Sequence, residues 1–408
     1  MEKLALFNIN KFELPLKGDL IVKNNKIFKR EGLLIDIKSS SGFSGYGEIS
    51  PLPFFHDESF EDVKAQAKTL KQNNTFIKNI ESFLRSPISV NPIFISRRKT
   101  SITSGEDLME DNLIKGFSIY LNKVNDIFFG IKTYPSVRAG FEMAIISLLL
   151  FNSGLEKKIK SVKEPLLPVC RLIVDLKNSL KKEIPELIND NYQAIKIKVG
   201  RDFVEKEINI IKKIKNLILE NKINTIKLRI DANGLWNLEE AIYFCKSLGL
   251  GSIEYIEDPL NNIYEYEKFF KETQMPVALD EKLMDFIKIN DINKKEWKCP
   301  DYLKAIIIKP DFVGGFSKTA RLTKFARKNE IKTVLSNSFN SSLLISFIAI
   351  FAKIMQMDDI ALGLDSLNIF NENLLKKDVE IIKGKINILD IFKNFKKINF
   401  NVVKPAEF

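Results

Sequence analysis

Histidine is nearly missing: the 408 residues hold one, His56. That removes most histidine-held metal sites, and Ser-His-Asp catalysis with them. Cysteine is scarce too. Cys170, Cys245 and Cys299 are scattered, odd in number and without a C-x-x-C pair, which excludes a disulfide framework and a cysteine zinc site and fits a reducing compartment. No long apolar run exists. The longest, Leu343 to Ala352, is interrupted by Ser346 and stopped by Lys353, short of the roughly 20 residues of a spanning helix. The start, Met1-Glu2-Lys3-Leu4, has an early acid and no apolar core, so no signal peptide is expected. The expectation is a cytoplasmic protein with no membrane partner. A glycine-rich phosphate fingerprint is also absent, since Gly314-Gly315 lacks the third spaced glycine. The chemistry left to this chain is that of carboxylates and lysines.

The chain is 45% hydrophobic and 28% charged, the balance of a folded soluble protein. Its formal charge is +11 and its isoelectric point about 9.2. Lysines number 53 and arginines 10, the bias that an AT-rich coding sequence produces together with abundant Ile and Asn. Nucleic-acid binders cluster Arg and Lys on one face, so no nucleic-acid partner is expected. The run Arg97-Arg98-Lys99 reads as a solvated loop. Nothing in the sequence sets an oligomeric state.

Two textures divide the chain. Up to about residue 162, strand-like alternation (Leu33–Ile37, Gly45–Ile49, joined by Ser39-Ser40-Ser41-Gly42) mixes with helical patterns near Ser59–Leu70 and Ser136–Leu150. The stretch 71–133 has poor periodicity and breakers at Pro87, Pro92 and Gly105, and reads as a variable insertion. From about 165 a rhythm sets in. Strand candidates Pro168–Val174, Ala194–Val199, Ile226–Asp231, Ile253–Glu257, Val277–Asp280, Ala305–Lys309, Lys332–Ser336 and Ala361–Gly363 alternate with helical runs such as Val204–Leu219 and the capped Ala241–Leu248. This is an α/β pattern. It suits a (β/α)8-type barrel, with a doubly wound open sheet as the alternative, because alternation alone does not decide closure.

The strand ends carry the signal. In Ile195-Lys196-Ile197-Lys198-Val199, period two puts both lysines on one face. In a surface hairpin they would be solvated. In a barrel, helices cover the apolar face and the lysines point inward, at high cost unless compensated. Compensation stands on the following strands, with Asp231, Glu257, Asp280 and then Lys309 at spacings of 33, 26, 23 and 29 residues. Asp231 or Asp280 alone reads equally well as a helix N-cap; the whole series does not. It predicts a ring of charge at the C-terminal mouth, where barrel active sites lie. Three acids without His or Cys form a hard-oxygen site suited to Mg²⁺, or Mn²⁺. A divalent ion holding a substrate carboxylate would stabilise the enediolate left by loss of an α-proton. A lysine near that cation and a second lysine is lowered from about 10.4 and becomes a usable base. The residues point to metal-assisted proton abstraction beside a carboxylate, on a small-molecule substrate.

The set Lys196-x-Lys198, Asp231-Ala-Asn233, Glu257-Asp-Pro, Asp280-Glu281 and Lys309-Pro310 resembles the enolase superfamily, muconate-lactonizing-type subgroup, whose Lys base and Mg²⁺-held ene-diolate are established chemistry rather than a deduction from this chain. Gly45-Tyr46-Gly47-Glu48-Ile49-Ser50-Pro51-Leu52-Pro53 is similar to the cap segment of o-succinylbenzoate synthases, and Pro135-Ser136-Val137, Ser336–Ser342 and Gly363–Leu367 match the same family. The resemblance covers nearly all of the chain outside 71–133. It implies a TIM-like (β/α)7β barrel over 163–365, an N-terminal α+β capping domain over 1–162, and a C-terminal segment, 366–408, packing back on the cap. It implies Mg²⁺ on Asp231, Glu257 and Asp280. Lys198 would take the α-proton of a succinyl-hydroxycyclohexadiene carboxylate and assist syn loss of water, giving o-succinylbenzoate for menaquinone or phylloquinone formation. Lys309 would stabilise the enediolate, Lys196 would tune Lys198, and Asn233 and Glu281 would orient their neighbours. Arg229 either supports the acid ring or makes a structural ion pair. Ser336, Ser338, Ser342 and Gly363 are implied contacts to the succinyl tail. Asn340 stands where related synthases often have Glu. His56 reads as a surface residue, because nothing local supplies a partner.

Two rivals remain at this stage. The same machinery could racemize N-succinyl amino acids or epimerize dipeptides, although Asp365-Ser366-Leu367 lacks the second acid of the usual Asp-x-Asp pair. A non-catalytic anion binder would predict lost ligands, and the set is complete.

Overall fold

The computed structural model describes residues 3–86, 105–150, 165–174, 190–221, 226–251, 253–290 and 298–407, with backbone alone for 105–115. The Arg97–Lys99 run and the expected boundary near 162 lie outside them. The chain begins as a long antiparallel ribbon of β1 (Leu4–Val22) and β2 (Asn25–Ser39). Its two-residue turn, Lys23-Asn24, has φ of 44° and 66°, the primed geometry that matches strand twist. β3 (Ser44–Ile49) pairs with β2 across the expected turn. Helix Pro135–Leu150 then lies on the sheet. It is largely apolar, and every residue from Ser136 onward except Arg138 is buried, as suits a core helix.

Helix and sheet meet at glycines. A Cβ on Gly47 would stand 1.9 Å from the carbonyl oxygen of Gly140, and one on Gly45 would stand 2.2 Å from that of Ala144. The Gly-Tyr-Gly-Glu segment is thus first a packing device. Part of the stretch expected to be aperiodic also belongs to this layer. Helix Asn74–Arg85 buries Phe76, Ile80, Phe83 and Leu84, a helical spacing, and Phe76 stacks edge-on against Phe141 at 5.4 Å. A further helix, Gly105–Asp126, follows.

The second half is the barrel. β4 (Leu166–Pro168) leads into β5 (Cys170–Ile173), followed by β6 (Ala194–Lys198), β7 (Lys227–Asp231), β8 (Ile253–Glu257), β9 (Val277–Leu279), β10 (Leu303–Ile308) and β11 (Lys332–Leu335). β5 to β11 form one parallel sheet in sequential order, with helices such as Val204–Glu220 and Leu238–Leu248 between strands. The sheet closes. Leu362 donates to Pro168 and accepts from Cys170, while Gly363 donates to Leu335, so one short segment bridges β5 and β11. The open-sheet alternative is excluded. Inside, Tyr255 packs with Ala278, Ala305, Ile307 and Val334, large against small, as barrel layers require. The apolar run Leu343–Ala352 lies in a fully buried helix, Ser342–Ile354. Among the described residues no helix is long and apolar enough to cross a membrane.

The remainder returns to the cap. β12 (Ile381–Ile382) and β13 (Lys385–Asn387) form a hairpin on β4, and β14 (Val403–Pro405) pairs with β1 at Asn10–Phe12. The cap sheet, order β14-β1-β2-β3, is therefore completed by the end of the chain.

Candidate active site

Strand register builds the site. Lys198, Asp231 and Glu257 are paired Cα partners across β6, β7 and β8, so their side chains leave the barrel wall on one rung. Asp280 follows β9, and Lys309 follows β10. Lys196 Nζ lies 3.0 Å from Asp231 Oδ2 and 2.8 Å from Glu257 Oε2. Lys198 Nζ lies 3.8 Å from Asp231 Oδ2 and donates to Asn233 Oδ1 at 3.3 Å. Lys309 Nζ donates to both oxygens of Asp280, at 2.7 and 2.6 Å. Asn233, at a φ of 48°, also donates its backbone N–H to Asp231 Oδ1 at 3.2 Å.

Burial sets the protonation of this cluster. The Lys198 amine is held below the ordinary lysine value by desolvation first; Asp231 offsets part of this, and the cations Lys196, Arg201 and Lys309 add to it. Burial also works against the charged form of Lys196, but Asp231, Glu257 and Asp280 override it and hold that ammonium well above the usual range. Lys309 is raised likewise, its burial outweighed chiefly by Asp280. Burial would raise Asp231, yet Lys196 and Lys198 hold it well below the carboxylate range. Glu257 is pushed up to about 7 by burial, with Lys196 pulling down and Asp231 and Asp280 pushing up. The cluster thus separates one lysine whose proton is held less firmly than usual from two held more firmly.

As the side chains stand, no three His, Cys, Asp or Glu groups among the described residues are gathered tightly enough to hold an ion; the carboxylates are turned onto ammonium groups instead. The donor chemistry nevertheless fits a hard divalent cation. All three acids are buried at the mouth, and Asp231 Oδ2 accepts no well-formed hydrogen bond. Glu257 carries the repulsion of the other two, which a shared cation would relieve.

Other expected residues go elsewhere. Arg229 makes the structural ion pair: its Nε donates to Glu254 Oε2 at 2.8 Å and its Nη1 to Ala361 O at 2.6 Å, at the end of β8 away from the mouth. Glu281 faces Lys23 of the cap turn, at 3.6 Å. Ser342 is fully buried and accepts from Leu375 N–H at 3.0 Å, which ties the C-terminal segment down. Ser338 donates to Asp311 at 3.3 Å, and Ser336 to Gly363 O at 3.1 Å; these two bonds knit the barrel seam and the neighbouring loop. His56 is not a surface residue. Its side chain is 1% exposed and its Nε2 is 3.6 Å from Asp311 Oδ2, so its partner comes from the barrel.

Three supporting residues went unread in the sequence. Asp258, buried in the Glu257-Asp258-Pro259 turn, accepts from the backbone N–H groups of Asp280, Glu281 and Lys282. It thereby fixes the strand end that bears Asp280. Glu207 accepts from Gly200, Arg201 and Asp202 N–H and fixes the loop after Lys198. Glu48 accepts from Ser50 Oγ at 2.6 Å and from Ser341 N–H at 3.1 Å, joining cap to barrel. Glu207 carried no sequence signal; Asp258 stood in the Glu257-Asp-Pro motif and Glu48 in the Gly45–Pro53 segment.

Known proteins share this fold. The family model of the MenC N-terminal domain matches residues 4–90. Among curated relatives, the o-succinylbenzoate synthase of Pasteurella multocida is 26% identical over 92% of this chain and 93% of its own. The chloroplastic protein PHYLLO of Arabidopsis thaliana is 26% identical over 92% of this chain, which spans 22% of that longer protein. Among solved structures, MenC from Desulfotalea psychrophila superposes with a TM-score of 0.69 at 18% identity, over 93% of this chain and 99% of that one. A superfamily member from Roseovarius nubinhibens, complexed with magnesium, gives 0.70 at 14% identity, over 95% and 93%. These likenesses extend across cap and barrel alike. With the enolase C-terminal domain-like model matching residues 179–391, more than half of the chain and nearly every strand end described above, the chain belongs to the enolase superfamily.

Proposed function

We propose that this chain acts as an o-succinylbenzoate synthase, dehydrating 2-succinyl-6-hydroxy-2,4-cyclohexadiene-1-carboxylate to 2-succinylbenzoate in the cytoplasm, for menaquinone or phylloquinone formation. The observation that carries the reading is the placement of two lysines among the acids of the barrel mouth, Lys198 beside Asp231 and Lys309 beside Asp280, in a chain related over both domains to o-succinylbenzoate synthases. Mg²⁺ bound by Asp231, Glu257 and Asp280 would supply charge stabilisation to the substrate carboxylate.

The neutral Lys198 amine takes the α-proton; the C–H bond breaks and its electron pair passes into the carboxylate-derived enediolate. Asn233 holds Nζ in place for that transfer. The positive charge of the Lys309 ammonium stabilises the enediolate. The C–O bond to the ring hydroxyl then breaks. The departing oxygen takes the proton back from Lys198 as water, and the ring becomes aromatic.

A dehydration assay with Mg²⁺ tests the proposal. Lys198→Ala should lower turnover by about 10²–10⁴-fold, the usual worth of a general base, and chelator should abolish wild-type turnover. Undiminished turnover in Lys198→Ala would remove the assigned base. Racemization of N-succinyl amino acids faster than dehydration would overturn the substrate assignment.

A further inference from the structure

The lone histidine and the turn behind Lys309 meet at the junction of cap and barrel. Phe55 and His56 both donate their backbone N–H to Leu52 O, at 3.2 and 3.0 Å. The Leu52 N–H in turn donates to His56 Nδ1 at 2.9 Å. An imidazole that accepts at Nδ1 carries its proton on Nε2 when neutral, and burial, the largest influence, favours that neutral form. Nε2 faces Asp311 Oδ2 across 3.6 Å, too long for a hydrogen bond but close enough for attraction in a buried setting. Asp311 is otherwise held by Asn340 Nδ2 at 3.0 Å and Ser338 Oγ at 3.3 Å. An amide at 340 can donate there, which a carboxylate could not.

Asp311 lies in the short helix Pro310–Val313, and Lys309 caps that helix by accepting from Phe312 and Val313 N–H at 3.0 and 2.9 Å. Holding Asp311 therefore holds the Lys309 backbone. The rings continue the contact. Phe55 packs on Phe312 at 4.9 Å and on His56 at 5.2 Å, and its face lies 4.6 Å from Lys309 Nζ. The Lys309 ammonium is thus gripped by Asp280 and also touched by an aromatic face from the cap.

We infer that His56 and Asp311 are positioning residues that fasten the cap loop Leu52–His56 to the turn after Lys309, and so seat the Phe55 ring on the Lys309 ammonium. The ring excludes water from one side of that ammonium and turns its electron-rich face to the positive charge. The kinetic consequence rests on the proposed dehydration; the geometry does not, and the test separates them. In protein labelled with [13Cε]lysine, with the Lys309 signal identified by Lys309→Arg, the Hε protons of Lys309 should be shifted upfield by the ring current of Phe55. Phe55→Leu should abolish that shift and His56→Leu should reduce it. His56→Gln, which keeps an acceptor for Leu52 and a donor toward Asp311, should retain most of it. In the dehydration assay Phe55→Leu should lower kcat about tenfold with KM changed less than about twofold, the pattern of an interaction made in the transition state. If His56→Leu fails to fold, Phe55→Leu and His56→Gln carry the test. An unshifted Lys309 signal in the folded wild type overturns the inference, as does a Phe55→Leu variant that changes neither signal nor kcat. A shifted signal without turnover supports this inference and counts against the proposed reaction.

Discussion

Glu254 shows how a single charge is used away from the catalytic mouth. It accepts from Arg229 Nε and from Lys332 Nζ, each at 2.8 Å. Burial would raise its carboxyl, but Arg229 and Lys332 hold it below its ordinary 4.5. A depressed carboxyl contributes stability above the unfolded-state value and loses it as the pH falls through the folded one. Glu254→Gln should therefore cost about 3 kcal/mol at neutral pH, since it leaves a buried guanidinium without its counter-charge. The gap to wild type should narrow on acidification below about pH 4.5. Urea titrations across that range check it, and a gap indifferent to pH would discount the ion pair. The destination of Arg229 was half legible in the sequence: period two placed it inside the barrel but not at which end. The placement of Lys196, Lys198, Asp231, Glu257, Asp280 and Lys309 at the barrel mouth was legible, because residues at strand ends have their direction fixed by the fold; the turning of the carboxylates onto the ammonium groups was not. His56 was misread because its partner, Asp311, is distant in sequence and invisible to any local pattern.

At the scale of elements, the cap depends on a strand and a helix approaching closer than side chains permit. Gly47→Ala puts a methyl group 1.9 Å from a backbone oxygen of Gly140, and a backbone cannot yield as a flexible side chain does. The expected result is a loss of about 3 kcal/mol, at the upper end of overpacking costs, seen as a lowered melting temperature. Unchanged melting would mean that helix Pro135–Leu150 is free to ride away from β3. Helix Pro135–Leu150 and β3 could be read in advance from their own residues. β1 could not: Pro15 and the polar Lys17-Gly18-Asp19 interrupt its alternation, and the pairing shifts register between Pro15 and Leu20. Helix Asn74–Arg85 was passed over for a related reason. Its apolar residues are spaced for a helix, but the breakers downstream at Pro87 and Pro92 coloured the reading of the whole stretch.

For the molecule as a whole, closure was the least legible feature. Strand–helix alternation suits an open sheet as well as a barrel, and the deciding contacts are the three backbone bonds of Leu362 and Gly363. The last strand of the cap is similarly remote. β14 covers the outer edge of β1 through Asn10, Lys11 and Phe12. Removing residues 403–408 should speed amide exchange at those of the three positions whose N–H faces β14 and lower cap stability, while the barrel amides keep their protection. Uniformly faster exchange would instead show cap and barrel to be one cooperative unit.

The same pairing has a consequence for how the protein is made. β1 (Leu4–Val22) is synthesised well before β14 (Val403–Pro405), the strand that shields its edge. At about 5–20 residues per second, the nascent chain carries that bare edge for roughly 20–80 s. A growing polypeptide in that condition invites strand addition by its neighbours on the same messenger, so the cap is the part of this fold most in need of a chaperone during synthesis.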